Sequence, residues 1–342
     1  MKKWMALALC LVFVCASFGA CSQPASSSSA APTPSSTPAD SGSASPASPD
    51  RVYKIGINSY AENFESSQNY LTSFREAAEK AGNVEFVYAD CNADAQKVAP
   101  NYDSFILQGV DAIIDASWLG EAGTMAVEKC KAAGIPLVVC DTAFDEEYSY
   151  LIGTDNYEAG VIAGEYLAGY IKENWDGAID YLVLEYYQSG GEHVKDRMQG
   201  CVDGLRDSGI DLTDDQVVWF DNEAQTQKTN QITRDFLTAH PDAHKVIFGT
   251  NNDPCAIGMV SAVEAANRVD DCICYSYGGE DSALDLLEKD NCYVGSVSFQ
   301  QNLYGDFAIP TAIDLIEGKT DVPRVQGPMP IMVDRSNLSD YR

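Results

Sequence analysis

The chain has 342 residues, 45% of them hydrophobic, and carries 22 basic against 51 acidic side chains for a formal net charge of −29. So acidic a surface repels nucleic acid and anionic membrane alike, which excludes a DNA-binding role.

Taken in order, Met1 to Cys21 reads as an export signal: Lys2 and Lys3, then an apolar run too short for a membrane span. Phe18-Gly19-Ala20-Cys21 has the form of a lipobox. It makes Cys21 the expected lipidated N-terminus and places the protein on the outer face of the cell membrane; an ordinary cleaved signal is the alternative. Residues 22–50 hold 11 Ser and 6 Pro but no Leu, Ile, Val or aromatic. They cannot bury a core and read as a tether. About 290 residues remain, enough for two medium α/β domains.

From there strands and helices alternate. Strands are expected at 52–58, 84–91, 111–118, 135–140 and 148–153, with helices at 67–82, 94–108 and 123–134 between them. Gly82 and Gly134 are the expected C-caps. Pro100 is expected to bend its helix. Asp155 or Asn156 N-caps a helix carrying Gly160 and Gly164 on one face. The rhythm then restarts, with strands at 178–187, 216–221, 245–253, 272–279 and 293–300 and a last long helix near 302–319. No hairpin signal appears, so doubly wound parallel sheets are predicted. In such sheets ligands bind beyond the carboxyl ends of the strands.

Enzyme motifs are missing. There is no G-x-S-x-G, H-E-x-x-H, C-x-x-C or G-x-G-x-x-G, and Ile313 breaks the phosphate-loop spacing before Gly318-Lys319-Thr320. His240 and His244 are separated by the helix breaker Pro241. Of 11 cysteines, eight follow Cys21, and their apolar neighbours mark them as buried free thiols. No metal or cofactor site is expected.

The stretch Val138-Val139-Cys140-Asp141, followed by Asp155-Asn156-Tyr157-Glu158-Ala159-Gly160, resembles the type I periplasmic sugar-binding proteins of the ribose-binding family. The resemblance covers roughly residues 52–335. It implies two doubly wound, Rossmann-like parallel-sheet α/β domains joined by a three-segment hinge. The implied segments are 51–154 plus 300–325 and 155–299 plus 326–342.

It also implies a non-enzymatic, monomeric solute-binding lipoprotein that closes on a monosaccharide or related polyol and delivers it to the membrane permease of an ABC importer. A ligand-sensing module serving a membrane receptor or kinase is the alternative. Sugars need Asp and Asn for paired hydrogen bonds, Arg for a donor fork and aromatics for the ring faces. By the resemblance, Asp141 and Asn156 are ligand residues, and Thr142 stands where ribose binders carry Arg. Arg197 and Gly200 match an R-x-x-G helix start. Asn252 ends a strand, with Asn251 as the competing choice. Tyr277 replaces an expected Asp, and Glu280 is a substitute carboxylate. Phe299 and Gln300 end the last cleft strand, and Tyr60, Asn63 and Phe64 pack from the first loop. Trp118 and Trp219 end two further strands as core, cleft wall or stacking residues.

Overall fold

The computed structural model describes residues 51–145 and 147–341; the expected signal, Cys21 and the tether lie outside them. In chain order the first sheet's elements are β1 (Tyr53–Ser59), α1 (Glu65–Ala81), β2 (Val84–Asp90), α2 (Val98–Leu107), β3 (Ala112–Ala116), α3 (Gly123–Ala133), β4 (Leu137–Cys140) and β5 (Tyr150–Ile152). There follow α4 (Asn156–Asn174), β6 (Tyr181–Tyr186), α5 (Glu192–Asp207), β7 (Val217–Asp221), α6 (Thr226–Ala239), β8 (Val246–Thr250) and α7 (Asp253–Ala265). The chain ends with β9 (Cys272–Gly278), α8 (Asp281–Leu287), β10 (Tyr293–Ser298), α9 (Gly305–Ile316), β11 (Val325–Gln326) and β12 (Ile331–Val333).

Among the described residues these form two six-stranded sheets, ordered β11-β5-β4-β3-β1-β2 and β12-β10-β9-β8-β6-β7. The first is parallel throughout; in the second only the edge strand β12 is antiparallel. Helices cover both faces, so β3 and β4 are buried along their whole length and read as continuous apolar runs. In the first sheet α1 and α9 pack on one face, α2 and α3 on the other. In the second, α4 and α5 cover one face and α6, α7 and α8 the other. The chain passes between the sheets after β5, after β10 and after β11. The first and third passages touch: the Gly153 N–H donates to the Gln326 carbonyl at 3.0 Å, and a Cβ on Gly327 would fall 2.3 Å from the Gly153 oxygen.

The local signals behave as chemistry requires. Gly82 and Gly134 take the left-handed conformation at the ends of α1 and α3, with φ of 75° and 67°. Asp155 caps α4 by accepting from the Glu158 N–H at 3.0 Å. Pro100 falls in the first turn of α2, which begins at Val98, where a proline removes an N–H that has no intrahelical partner. All eight cysteines among the described residues are free and buried.

Each domain buries a carboxyl network below its strand ends. Asp115 accepts from Asn58, Tyr102 and both the N–H and hydroxyl of Ser117. Glu185 is less well served. Its Oε1 accepts from Thr233 at 2.8 Å, while Oε2 has no partner among the described residues. Burial pushes its carboxyl up to about 8. The folded chain therefore keeps a proton that the unfolded chain releases above the ordinary glutamate range. Stability is full at acid pH and falls as pH rises from that range through about 8, by at most about 1.4 kcal/mol per pH unit. Glu185→Gln is expected to flatten this slope and to melt higher than wild type at pH 8. Parallel melting curves against pH for the two proteins would refute the assignment.

Candidate functional site

The site lies where the carboxyl ends of the two sheets face each other. On the first domain Asp141 follows β4 in a left-handed conformation, φ 58°. Trp118 after β3 and Gln300 after β10 do the same, at 55° and 52°. Such strain outside glycine clusters at functional sites. The Asp141 carboxylate accepts from the Tyr70 hydroxyl of α1 and from the Tyr304 hydroxyl, at the start of α9, at 2.5 Å. Burial raises its proton affinity above the ordinary carboxylate value, while Tyr304, Tyr70, the Arg197 charge and the Thr154 N–H oppose the rise. Each carboxylate oxygen retains a lone pair for a further donor. Thr142 is half-buried beside Asp141, its methyl 3.0 Å from where a Gly120 Cβ would sit.

Aromatic rings line this half. Tyr60 meets Phe64 edge-on at 5.0 Å and Trp118 at 5.2 Å, Trp118 meets Tyr70 at 5.7 Å, and Tyr70 meets Tyr304 at 4.8 Å. Phe64 is 43% exposed, available to a ligand face, and Asn63 is exposed beside it. Trp219 instead packs against Tyr186 at 5.6 Å in the second domain's core.

Arg197 centres the other half. Its Nε and Nη2 donate to Asn156 Oδ1 at 3.1 and 2.6 Å, and Nη1 donates to the Asn251 carbonyl at 2.6 Å. One N–H on each terminal nitrogen remains for a ligand. The guanidinium lies 4.5 Å from the Phe299 ring centroid and 5.4 Å from that of Tyr277. Burial lowers its proton affinity, while the Asp141 carboxylate lies close enough to oppose the fall. His193, one turn earlier on α5, is pushed down to about 4 by burial and by Arg197.

The structure thus gathers Tyr60, Phe64, Asp141, Thr142, Asn156, Arg197 and Phe299. Several expectations change. Asn252 caps α7, its Oδ1 accepting from the Cys255 N–H at 3.0 Å; Asn251 is the residue against Arg197, and its own Oδ1 is buried without a partner among the described residues. Asn156 spends its acceptor on Arg197 and acts as that residue's support. Tyr277 is no exposed ring platform: it is 1% exposed, lies under Arg197 and donates to the Arg197 carbonyl at 3.3 Å. Gln300 donates to the Met329 carbonyl at 2.5 Å, tying two interdomain passages together. Glu280 pairs with Ser66 of α1, across the cleft. Tyr70, Tyr304 and Ser66 were not legible as candidate site residues, whereas Asn251 was the competing choice to Asn252. Tyr70 and Ser66 lie in a helix whose apolar pattern explains them as core, and Tyr304 sits far along the chain from the Asp141 it serves.

A family model described as periplasmic binding protein domain matches residues 56–320. The ribose import binding protein of Bacillus subtilis (strain 168) is 24% identical over 280 residues, 82% of this chain and 87% of that protein. A D-ribose/D-allose-binding protein of Pseudomonas aeruginosa is 28% identical over 225 residues, 64% of this chain and 67% of that protein. Among solved structures, an ABC transporter solute-binding protein from Bacillus halodurans C-125 with bound myo-inositol superposes with a TM-score of 0.72 at 18% identity, covering 85% of this chain and 98% of the other. One from Actinobacillus succinogenes 130z with bound D-allose gives 0.72 at 20% identity, covering 84% and 100%. At these identities the structures speak for the fold alone.

Proposed function

Because the chain belongs to the periplasmic binding protein domain family, we propose that it is the solute-binding component of an ABC importer, taking a monosaccharide or related polyol into the cleft between its two domains. The observation that carries this reading is the pairing of Asp141, held by two tyrosine hydroxyls, with Arg197, held by Asn156 and Asn251, from opposite domains. The first offers acceptors, the second donors, and aromatic rings lie beside both. That is the complement of a polyhydroxylated ring. The work is capture and release: no bond is made or broken, and closing about the three passages presents a closed form to a permease. With Thr142 in place of an arginine fork, a sugar or polyol other than ribose is the preferred occupant. The same reading includes a lipid anchor at Cys21 and a monomer, with the domains divided at the three passages.

The test is a thermal-shift screen of the protein against pentoses, hexoses, inositols and other polyols, with nucleosides and amino acids as outgroups. A ligand at about 100 times its Kd stabilises the native state by roughly 2.7 kcal/mol. A shift with a sugar or polyol, lost in Asp141→Asn, is the expected result. Silence with every sugar and polyol overturns the reading.

A further inference from the structure

The cleft mouth carries a contact that sugar capture by itself does not require. α1 of the first domain and α8 of the second begin opposite each other. The Ser66 hydroxyl meets Glu280 Oε1, and Glu65 Oε1 accepts from the Asp281 N–H. Ser66 and Glu280 are 9% and 8% exposed, so little water reaches the contact. Glu280 is held in place from below by Asp253 at the start of α7. The Asp253 Oδ2 accepts from the Glu280 N–H at 2.6 Å, and Oδ1 accepts from Ser276 and Ser296 at 2.5 and 2.8 Å. The turn before it, Gly278-Gly279, has φ of 139° and 75°. A Cβ on Gly278 would lie 2.7 Å from Asp253, and one on Gly279 would lie 2.4 Å from Ser298. This is a backbone only glycine adopts without strain, and it aims Glu280 across the cleft.

We propose that Ser66 and Glu280 form a proton-dependent clamp across the cleft mouth, holding the closed form more firmly at acid than at alkaline pH. The groups that face Glu280 explain the proton. Asp253 lies beneath it on α7, Glu65 beside Ser66 on α1, and Asp281 follows it on α8. Ser276, Ser296 and the Tyr293 hydroxyl, which is bonded to Ser276 at 2.6 Å, are neutral. No cation among the described residues is bonded to Glu280; Arg197 acts on Asp253 from a distance. Closing therefore takes the Glu280 carboxyl out of water and brings Glu65 up to a carboxyl that already lies over Asp253, and a proton relieves the cost. Burial, then Asp253 and Glu65, push Glu280 up to about 7 in the closed form, with the Ser66 hydrogen bond opposing. When the domains part, Ser66 and Glu65 leave with the first domain and the Glu280 carboxyl regains water, while Asp253 stays beneath it; its proton affinity falls without reaching that of a free glutamate. Closure thus takes up a proton. It is favoured at acid pH and weakens as pH rises toward and through about 7, by at most tenfold per pH unit.

The clamp rests on the reading that the protein closes on a ligand, so its test is read first without one. Small-angle X-ray scattering of the ligand-free protein from pH 5.5 to 8.5 is expected to show a smaller radius of gyration at the acid end. Glu280→Gln, which keeps the protonated shape, should stay compact across the range. Ser66→Ala should be expanded relative to wild type at pH 5.5. A radius independent of pH in wild type, or a Glu280→Gln protein that expands with pH as wild type does, overturns the clamp. Titration with myo-inositol and D-allose as probes separates the two ideas. If either binds with an affinity that is level across this range and unchanged in Glu280→Gln, the clamp fails and solute capture stands. Failure of the wider sugar screen beside a pH-dependent radius sinks solute capture and leaves the clamp.

Discussion

Arg197→Ala is expected to weaken sugar binding by about 100-fold or more. The substitution removes the donors left for a ligand. It also leaves Asn156 Oδ1, the Asn251 carbonyl and the Asp141 charge without the partner that Arg197 provides. Hydrogen bonds made by a charged group are worth about 1.5–3 kcal/mol, and buried partners left unpaired add to the loss; about 3 kcal/mol is roughly 150-fold in Kd. Arg197→Lys is the informative control. Lysine keeps the charge but lacks the planar fork that reaches Asn156 through two nitrogens while lying over Phe299, so it is expected to recover only part of the loss. Isothermal titration with the sugar found by the thermal screen measures both, and far-ultraviolet circular dichroism checks that each variant folds. Binding by Arg197→Ala within threefold of wild type would remove Arg197 from the site and the proposed pairing with it.

The second large effect concerns the support beneath that arginine. Helices α4 and α5 approach so closely that a Cβ on Gly160 would lie 2.1 Å from the Arg197 carbonyl oxygen, and one on Gly200 would lie 2.2 Å from that of Tyr157. Gly164 and Gly204 continue the contact one turn on, at 2.5 Å from the Cys201 oxygen and 2.6 Å from the Val161 oxygen. The obstructing atoms are backbone, which cannot rotate aside as a side chain does, so one helix must shift on the sheet. Gly160→Ala is expected to destabilise by about 3 kcal/mol or more, at or beyond the upper end for overpacking. Arg197 moves with α5, so binding should fall as well. Gly169, on the same helix, has nothing within 4 Å of its would-be Cβ. Gly169→Ala is accordingly expected to be stabilising by about 1 kcal/mol, through helix propensity alone. Urea unfolding of the two variants side by side decides the matter: a Gly160→Ala midpoint equal to wild type contradicts the packing account.

Local chemistry was enough for much of the architecture. Alternating apolar strands and helices give two parallel sheets, since a strand buried on both faces must be apolar throughout and a crossover helix must carry one apolar stripe. Gly82 and Gly134 end their helices because only a left-handed residue satisfies the last carbonyls without strain. Asp155 starts α4 because a short acceptor satisfies a free N–H. Asp141, Asn156, Arg197 and Phe299 were legible as candidates because strand ends and helix starts are where such folds face their cleft. Strands β11 and β12, two and three residues long, were not legible, since periodicity needs more residues than that. Pro100 misled because a proline's effect depends on which turn of the helix it occupies, and that boundary was placed too early.

What only the tertiary structure decided is which groups spend their hydrogen bonds on one another. Asn252 caps a helix while Asn251 meets Arg197, and nothing in two adjacent asparagines distinguishes them until the strand end is placed. Tyr70 and Tyr304 converge on Asp141 from helices far apart in the chain, and Ser66 reaches Glu280 from the opposite domain. A residue's type and spacing fix what it can donate or accept and which element it belongs to. Its partner is fixed by the packing of two sheets and their helices against each other, a long-range outcome that no local window contains.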